Sequence, residues 1–194
     1  MFDVFQVAYE KDPALKKGIN FLEVVLYPGV QAIILYRISH ALHSIGLPFI
    51  PRAISYLGRF LTGAEIHPAA KIGKRFFIDH ATGVVIGETT EIGDNVMLYH
   101  GVTLGGHGWW RDKKGNKRHP TIEDNVTIGV GAAILGPVIV KKNSRIGAHT
   151  VIIDDIPEDS TVVTSKGQLR IVEGAYVRYK DPKEAGEKPP EWNI

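Results

Sequence analysis

Histidines with carboxylates near them are the side chains of this chain best suited to acid–base chemistry. His80 follows Asp79 directly, and Glu88 comes a few residues later. Most other corner and outward positions in this part of the chain carry no side chain that suggests chemistry. An imidazole titrates near neutral pH, so a positioned histidine can take a proton from a hydroxyl nucleophile. A neighbouring carboxylate orients the ring and stabilises its charged form. His80 is therefore the candidate general base.

Two further positions are candidates because of their spacing. Glu65 lies fifteen residues before His80, about one coil of the repeat described below, and we expect its carboxylate to reach the imidazole. His119 follows Arg118 where a non-repetitive segment rejoins the repeat, and loop roots on a rigid scaffold are common binding positions. For the other histidines that we considered, a surface or structural role is favoured: His67, His100, His107 and His149.

A six-residue period of aliphatic side chains indicates the structural elements that position these residues. Aliphatic residues recur at Ile66, Ile72, Ile78 and Val84, at Ile86, Ile92, Leu98 and Leu104, and at Ile122, Ile128, Ile134, Val140, Ile146 and Ile152. This period fits neither a helix nor a plain strand; it is typical of coils of three short strands, each placing one aliphatic side chain inward. Stacked coils bury one apolar column. An antiparallel sheet would instead require alternating polarity and hairpin turns.

The rest of the chain has other patterns. Apolar residues before the repeat recur at helical spacing, and Pro28, Pro48 and Pro51 mark breaks between helices. The end of the chain is rich in Lys, Glu, Gly and Pro. We therefore predict an N-terminal α-helical domain over 1–62, a β-helix domain over 63–173 with an extruded loop at 107–120, and a flexible tail over 174–194.

Composition excludes several classes of protein. The chain has no cysteine and no signal-peptide pattern, so we expect a cytoplasmic protein without disulfides. A net charge of +2 is too small to argue for nucleic acid, and charged or polar residues interrupt the apolar stretch 30–51, so no membrane span is expected. Glycine-rich nucleotide loops and a nucleophile elbow are also missing from the sequence.

Six segments of the chain resemble serine O-acetyltransferases, the enzymes that open cysteine biosynthesis. They are KDPA at 11–14, EIHPAAKIG at 65–73, IDHATGVVIGET at 78–89, VTLGG at 102–106, KRHPTI at 117–122 and IGVGAAILG at 128–136. The resemblance implies a left-handed parallel β-helix that forms homotrimers, with each active site between neighbouring subunits. It also implies acetyl transfer from acetyl-CoA to the hydroxyl of L-serine, without a metal.

The resemblance carries roles onto single residues. His80 would be the general base and Glu65, where the family often has aspartate, would orient its ring. Four residues would hold the ammonium and carboxylate of serine: Asp12, Asp79, Arg118 and His119. The residues along which acetyl-CoA would run are Gly105, Gly106, Val130 and Ala148, with Val130 replacing a smaller residue. Lys166 and Arg170 would serve the CoA phosphates, in a segment, TSKGQLR at 164–170, that departs from the family pattern.

Partners follow from the same resemblance. Ile194 ends the chain as in family members whose C-terminal peptide docks into O-acetylserine sulfhydrylase, and L-cysteine is a possible feedback inhibitor. Trp109 and Trp110 in the extruded loop are expected to cover the cleft or a neighbouring subunit. The chain starts close to KDPA, which favours a single trimer over a hexamer.

Three alternatives remain open at this level. One is an acetyltransferase of the same architecture that takes a sugar, an antibiotic or another amino acid, against which Asp12 and Arg118 argue. Another is a zinc enzyme resembling γ-type carbonic anhydrases, although the close histidine pair of that family is missing. The third is a non-catalytic scaffold, which would not require polar groups such as His80 at the corners of the coil.

Overall fold

The structure, a computed structural model, describes residues 2–12, 21–108 and 115–163. Several predictions fall outside these residues: the tail over 174–194 with Ile194, the CoA contacts of Lys166 and Arg170, and the role of Trp109 and Trp110.

Helices make up the described part of the N-terminal region. They are α1 (Phe2–Lys11), α2 (Phe21–Val25), α3 (Pro28–Ser44) and α4 (Ile50–Thr62). Pro28 and Pro51 lie in the first turns of α3 and α4, where a missing N–H costs nothing, so Pro51 lies inside a helix and not between helices as the sequence suggested. Gly63 ends α4 in the left-handed conformation and donates its N–H to Arg59 O at 2.8 Å.

Within the described residues, fourteen short strands follow and wind into a parallel β-helix. They are β1 (Glu65–Ile66), β2 (Lys71–Ile72), β3 (Phe77–Ile78), β4 (Val85–Ile86), β5 (Glu91–Ile92), β6 (Met97–Leu98), β7 (Thr103–Gly105), β8 (Thr121–Ile122), β9 (Thr127–Ile128), β10 (Ala133–Leu135), β11 (Ile139–Val140), β12 (Arg145–Ile146), β13 (Val151–Ile152) and β14 (Thr161–Val162). Sheet 1 has the order β1-β4-β7-β10-β13, sheet 2 the order β11-β8-β5-β2, and sheet 3 the order β14-β12-β9-β6-β3.

The predicted aliphatic column is the core of this β-helix, which confirms the fold class. Ile66 pairs in register with Ile86, Ile86 with Leu104, and Leu104 with Ile134, and all four are buried. Val84 is the exception to the predicted phase. It is buried, but the strand at this point is Val85–Ile86, so Val84 belongs to a corner that is two residues longer than its neighbours.

Helices α1 and α3 dock on the first coil of the β-helix. Tyr36 donates its hydroxyl hydrogen to Ala70 O at 2.6 Å. A side chain at Gly29 would lie 1.9 Å from Ile78 O, so only glycine allows this approach of α3 to β3. Asp3 accepts hydrogen bonds from Arg37 and from the backbone N–H of Arg75. The approach of Gly29 to Ile78 O brings the start of α3 beside the corner that follows β3.

None of the helices in the described ranges is long and apolar enough to cross a membrane.

Candidate active site

The longer corner between β3 and β4, residues 79–84, carries His80 and is called the His80 corner below. His80 and Ala81 have φ angles of 61° and 57°, a left-handed conformation that L-residues rarely adopt. The corner is held by a bond from Gly83 N to Gly63 O at 2.9 Å and one from Val84 N to Ala81 O at 3.0 Å. As a result the side chain of His80 projects outward and is 75% exposed.

Asp79 is the carboxylate that the structure places beside His80. Its Oδ1 lies 3.6 Å from His80 Nε2, longer than a hydrogen bond but close enough for electrostatic stabilisation of an imidazolium. On the next coil, the ring of His100 lies edge-on to that of His80, with 5.9 Å between centroids.

Glu65 lies one coil below, as expected from its spacing, but engages a different partner. Its Oε2 accepts a hydrogen bond from Nη1 of Arg59 at 2.7 Å. The structure has no ion pair within 4.0 Å between Glu65 and His80, both of which lie in its described part. The orienting role of Glu65 therefore stays a prediction.

A cleft of about 470 Å³ opens beside the His80 corner. Its lining residues are Asp12, Glu23, Leu26, Tyr27, Pro28, Asp79 and His80. Asp12, which follows α1, and Asp79 thus face one space; the family resemblance implies that both bind the same ligand, and this role stays a prediction.

The pKa values of two tyrosines are raised mainly by burial, and the carboxylates of this cleft add to the shift. Burial, together with the charge of Asp12 and a hydrogen bond to it, raises the pKa of Tyr27. Burial and the charge of Asp79 likewise raise the pKa of Tyr99. A carboxylate that opposes formation of a phenolate also attracts a cation. The cleft is therefore suited to a small ligand with an ammonium group.

Arg118 and His119 lie just before β8 and pack against another corner, residues 87–90 between β4 and β5. This corner is called the Thr89 corner below. The guanidinium of Arg118 forms an ion pair with Glu88. His119 is 8% exposed, and its Nδ1 lies 3.1 Å from Thr89 N and 2.9 Å from Thr89 Oγ1. A Cβ atom on Gly87 would lie 2.0 Å from His119 Cδ2, so the ring packs directly on the glycine backbone.

The Thr89 corner carries charges of both signs, since Glu88 pairs with Arg118. Half-buried His67 lies nearby: burial and the charge of Arg52 lower its pKa, whereas the charge of Glu88 opposes this shift. The four predicted acceptor-binding residues thus form two groups in a single chain: Asp12 with Asp79, and Arg118 with His119. The two corners lie at opposite ends of strand β4, one on each side of sheet 1.

The predicted CoA-binding residues lie on later coils, at corners that stack above the His80 corner or the Thr89 corner. Gly105 ends β7 and is followed by Gly106. Val130 lies in the corner after β9, where its carbonyl accepts a hydrogen bond from His149 N at 2.7 Å. Ala148 is exposed in the corner after β12. Their role in binding CoA stays a prediction, because the geometry of one chain does not test it.

Sequence reasoning missed Tyr27 and Thr89. Tyr27 lines the cleft through the helices, whose packing no local motif reveals. Thr89 carries a weak signal, since it lies two residues after a glycine, next to the out-of-pattern Glu88. Among the described residues, no three His, Asp or Glu side chains are arranged to hold a metal ion.

Comparisons of the sequence identify its relatives. Residues 119–154 match the family described as bacterial transferase hexapeptide (six repeats). A serine acetyltransferase of Synechococcus elongatus is 47% identical over 95% of this chain and 72% of its own length. A serine acetyltransferase of Helicobacter pylori is 52% identical over 82% of this chain and 90% of its own length.

Solved structures agree with these relatives. Serine acetyltransferase isoform 3 of Entamoeba histolytica, in complex with cysteine, aligns with a TM-score of 0.79 at 38% identity over 89% of this chain and 59% of its own. Neisseria gonorrhoeae serine acetyltransferase, in complex with serine, aligns with a TM-score of 0.76 at 37% identity over 85% of this chain and 65% of its own. The chain thus spans about three-fifths of these crystallised chains, and it belongs to the serine acetyltransferase family.

Proposed function

We propose that this protein transfers the acetyl group of acetyl-CoA to the hydroxyl of L-serine, giving O-acetyl-L-serine and CoA. This reaction is the first step of cysteine biosynthesis from serine. The observation that carries the proposal is the acidic cleft that joins Asp12, Asp79 and His80, in a chain about 50% identical to several serine acetyltransferases. Such a cleft presents a base and an ammonium-binding wall to one small ligand.

His80 is the general base of the proposed mechanism. It accepts the proton of the serine hydroxyl while that oxygen attacks the thioester carbonyl carbon. A carbon–oxygen bond forms, the carbon–sulfur bond breaks, and the imidazolium returns its proton to the CoA thiolate. The carboxylate of Asp79 lies 3.6 Å from His80 Nε2, and Glu65 is proposed to orient the ring.

Serine is a zwitterion, and the two groups of charged residues match its two ends. Asp12 and Asp79 are proposed to bind the ammonium. Arg118 is proposed to bind the carboxylate, because a guanidinium can donate two parallel hydrogen bonds to it, and His119 supplies a further donor. Glu88, which now pairs with Arg118, would have to share it with the carboxylate.

The separation of the two groups favours an active site shared between copies of the chain. We propose a homotrimer in which the His80 corner of one copy meets the Thr89 corner of the next. The outward face of sheet 1, between these corners, supports this packing, since Val85 and Val151 lie on it with exposed apolar side chains. A neighbouring copy would bury them.

Acetyl-CoA is proposed to run along the coils past Gly105, Gly106, Val130 and Ala148, with Lys166 and Arg170 near its phosphates. Backbone amides at glycine and alanine positions can meet the pantetheine without side chains in between. We further propose that L-cysteine binds the serine pocket as an inhibitor, that the peptide ending in Ile194 binds a sulfhydrylase, and that the protein acts in the cytoplasm without a metal.

The direct experiment is to identify the product. Purified protein incubated with acetyl-CoA and L-serine should yield O-acetyl-L-serine and free CoA in equal amounts, detected by mass spectrometry and by thiol titration. CoA release without acetylated serine would mean that the chain is only a thioesterase or uses another acceptor, and would overturn the proposal.

A further inference from the structure

The hydroxyl of Thr89 is the centre of the Thr89 corner. Its oxygen accepts hydrogen bonds from the backbone N–H of Arg118 at 3.0 Å and from that of His119 at 3.0 Å. A threonine hydroxyl has two acceptor lone pairs and one donor hydrogen. With both lone pairs used, the hydroxyl hydrogen is left for a third partner.

That partner is Nδ1 of His119, and two donors from Thr89 converge on it. The hydroxyl oxygen of Thr89 lies 2.9 Å from Nδ1, and the backbone N–H of Thr89 points at the same nitrogen with an N···N distance of 3.1 Å. A backbone N–H can only donate, so Nδ1 has to be the acceptor. In a neutral imidazole the proton then resides on Nε2.

We propose that Thr89 is a positioning residue that holds His119 in the Nε2–H tautomer and fixes the main chain of Arg118 beside it. His119 then acts as a hydrogen-bond donor through Nε2 and cannot take a proton there. This inference rests on the proposed function in one respect, namely that His119 contacts the acceptor. It divides the work of the two histidines: His80 accepts a proton, whereas His119 donates a hydrogen bond.

Neighbouring groups hold the same arrangement from other sides. Lys117 Nζ donates to the carbonyl of Thr89 at 2.8 Å, and Glu88 holds the guanidinium of Arg118. The ring of His119 lies against Gly87, where a Cβ atom would be only 2.2 Å from Nε2, so there is little space for the ring to turn over. Consecutive residues Glu88 and Thr89 thus clamp consecutive residues Arg118 and His119, thirty positions later.

The tautomer can be tested without any substrate. In nitrogen-15 NMR of the intact protein, with the His119 signals assigned through their loss in His119→Gln, we expect an unprotonated Nδ1 and a protonated Nε2 at pH 8. A protonated Nδ1 in the neutral ring would overturn the inference. This outcome is independent of which acceptor the enzyme uses, so it distinguishes failure of the inference from failure of the proposed function.

Kinetics test the role of the hydroxyl. Thr89→Val leaves the backbone N–H groups of Arg118 and His119 without their acceptor, and we expect KM for serine to rise about tenfold with kcat within about threefold. Thr89→Ser should restore KM. Thr90→Val is the matched control, because the buried hydroxyl of Thr90 has no hydrogen-bond partner among the described residues. An unchanged KM in Thr89→Val, or a KM that Thr89→Ser does not restore, would contradict the positioning role of Thr89.

Discussion

Oε2 of Glu65 accepts a hydrogen bond from Nη1 of Arg59 at 2.7 Å, and this bond joins the first strand of the β-helix to α4. The side chain of Arg59 is 58% exposed and that of Glu65 is 34% exposed. Ion pairs this close to solvent contribute about 0–1 kcal/mol, so a substrate or a neighbouring subunit can take over the carboxylate at little cost. The pair is therefore compatible with an orienting role of Glu65.

Substitutions of Glu65 and Arg59 should affect kcat differently. Glu65→Gln removes the carboxylate that is proposed to orient the ring of His80, and we expect kcat with serine to fall by about tenfold or more. Arg59→Gln releases the carboxylate and should leave kcat unchanged or slightly higher. Steady-state kinetics of both variants decide the matter. If Glu65→Gln turns over at the unmodified rate, Asp79 alone is the carboxylate partner of His80.

Replacement of the proposed base should abolish most turnover. Since Asn tolerates the left-handed conformation at this position, His80→Asn removes the base without adding backbone strain, and we expect kcat to fall by about 10²- to 10⁴-fold. His149→Asn is the matched control, because His149 is also an exposed corner histidine, with φ of 55°. Circular dichroism should be the same for both variants. Comparable losses in the two variants would exclude a specific role for His80.

The negative potential of the cleft can be measured directly. Asp12 raises the pKa of Tyr27, so Asp12→Asn should lower that pKa, as followed by ultraviolet titration of the phenolate with Tyr27→Phe as the reference. The same variant should raise KM for serine. Tyr36, whose pKa burial raises to about 12, should not respond. A Tyr27 pKa that does not move would show that Asp12 does not act on the cleft.

Asp3 should make the stability of the protein depend on acid pH. Burial opposes its charge, but the backbone N–H of Arg75 and the charge of Arg37 outweigh this and lower its pKa to about 2. Because the folded-state pKa is depressed, the stabilisation is complete above the ordinary pKa near 3.8 and is lost as the pH falls towards 2.

Denaturation of Asp3→Asn tests this linkage. We expect the variant to lose up to about 2 kcal/mol of unfolding free energy at pH 7, and the difference from the unmodified protein to shrink below pH 3.8 and vanish once the pH falls below about 2. Asp154→Asn serves as the control, since Asp154 is exposed and no hydrogen bond or ion pair to another described residue is found for it. A loss that is independent of pH would mean that Asp3 acts by shape and not by charge.

The sequence predicts the β-helix well because one inward side chain per strand is a strictly local rule. The same rule reveals where function interrupts it: the two extra residues of the His80 corner and the long segment before Thr121 are both visible as breaks in phase. The six-residue spacing after Ile78 places Val84 in the column, because spacing alone does not reveal that the corner at this point is two residues longer.

The site was less accessible from the sequence. The approach of Asp12 to Asp79 depends on the packing of α1 and α3 on the first coil, through contacts such as Gly29 against Ile78 O, which no motif encodes. The partner of Glu65 was not foreseen, since Arg59 lies on α4 and its reach depends on where that helix ends. Thr89 was missed because a hydroxyl that binds backbone groups has no sequence signature of its own.

Acceptor competition tests the central claim most directly. Free thiol released from acetyl-CoA is measured with L-serine and, in parallel, with homoserine, threonine and simple sugars at equal concentration. The IDHATG and RHP motifs shared with the family predict that serine is preferred by a wide margin in kcat/KM, and the acidic cleft predicts that N-acetylserine, which lacks the ammonium, is a poor acceptor. Zero turnover with serine, or equal turnover with a sugar, would contradict the account.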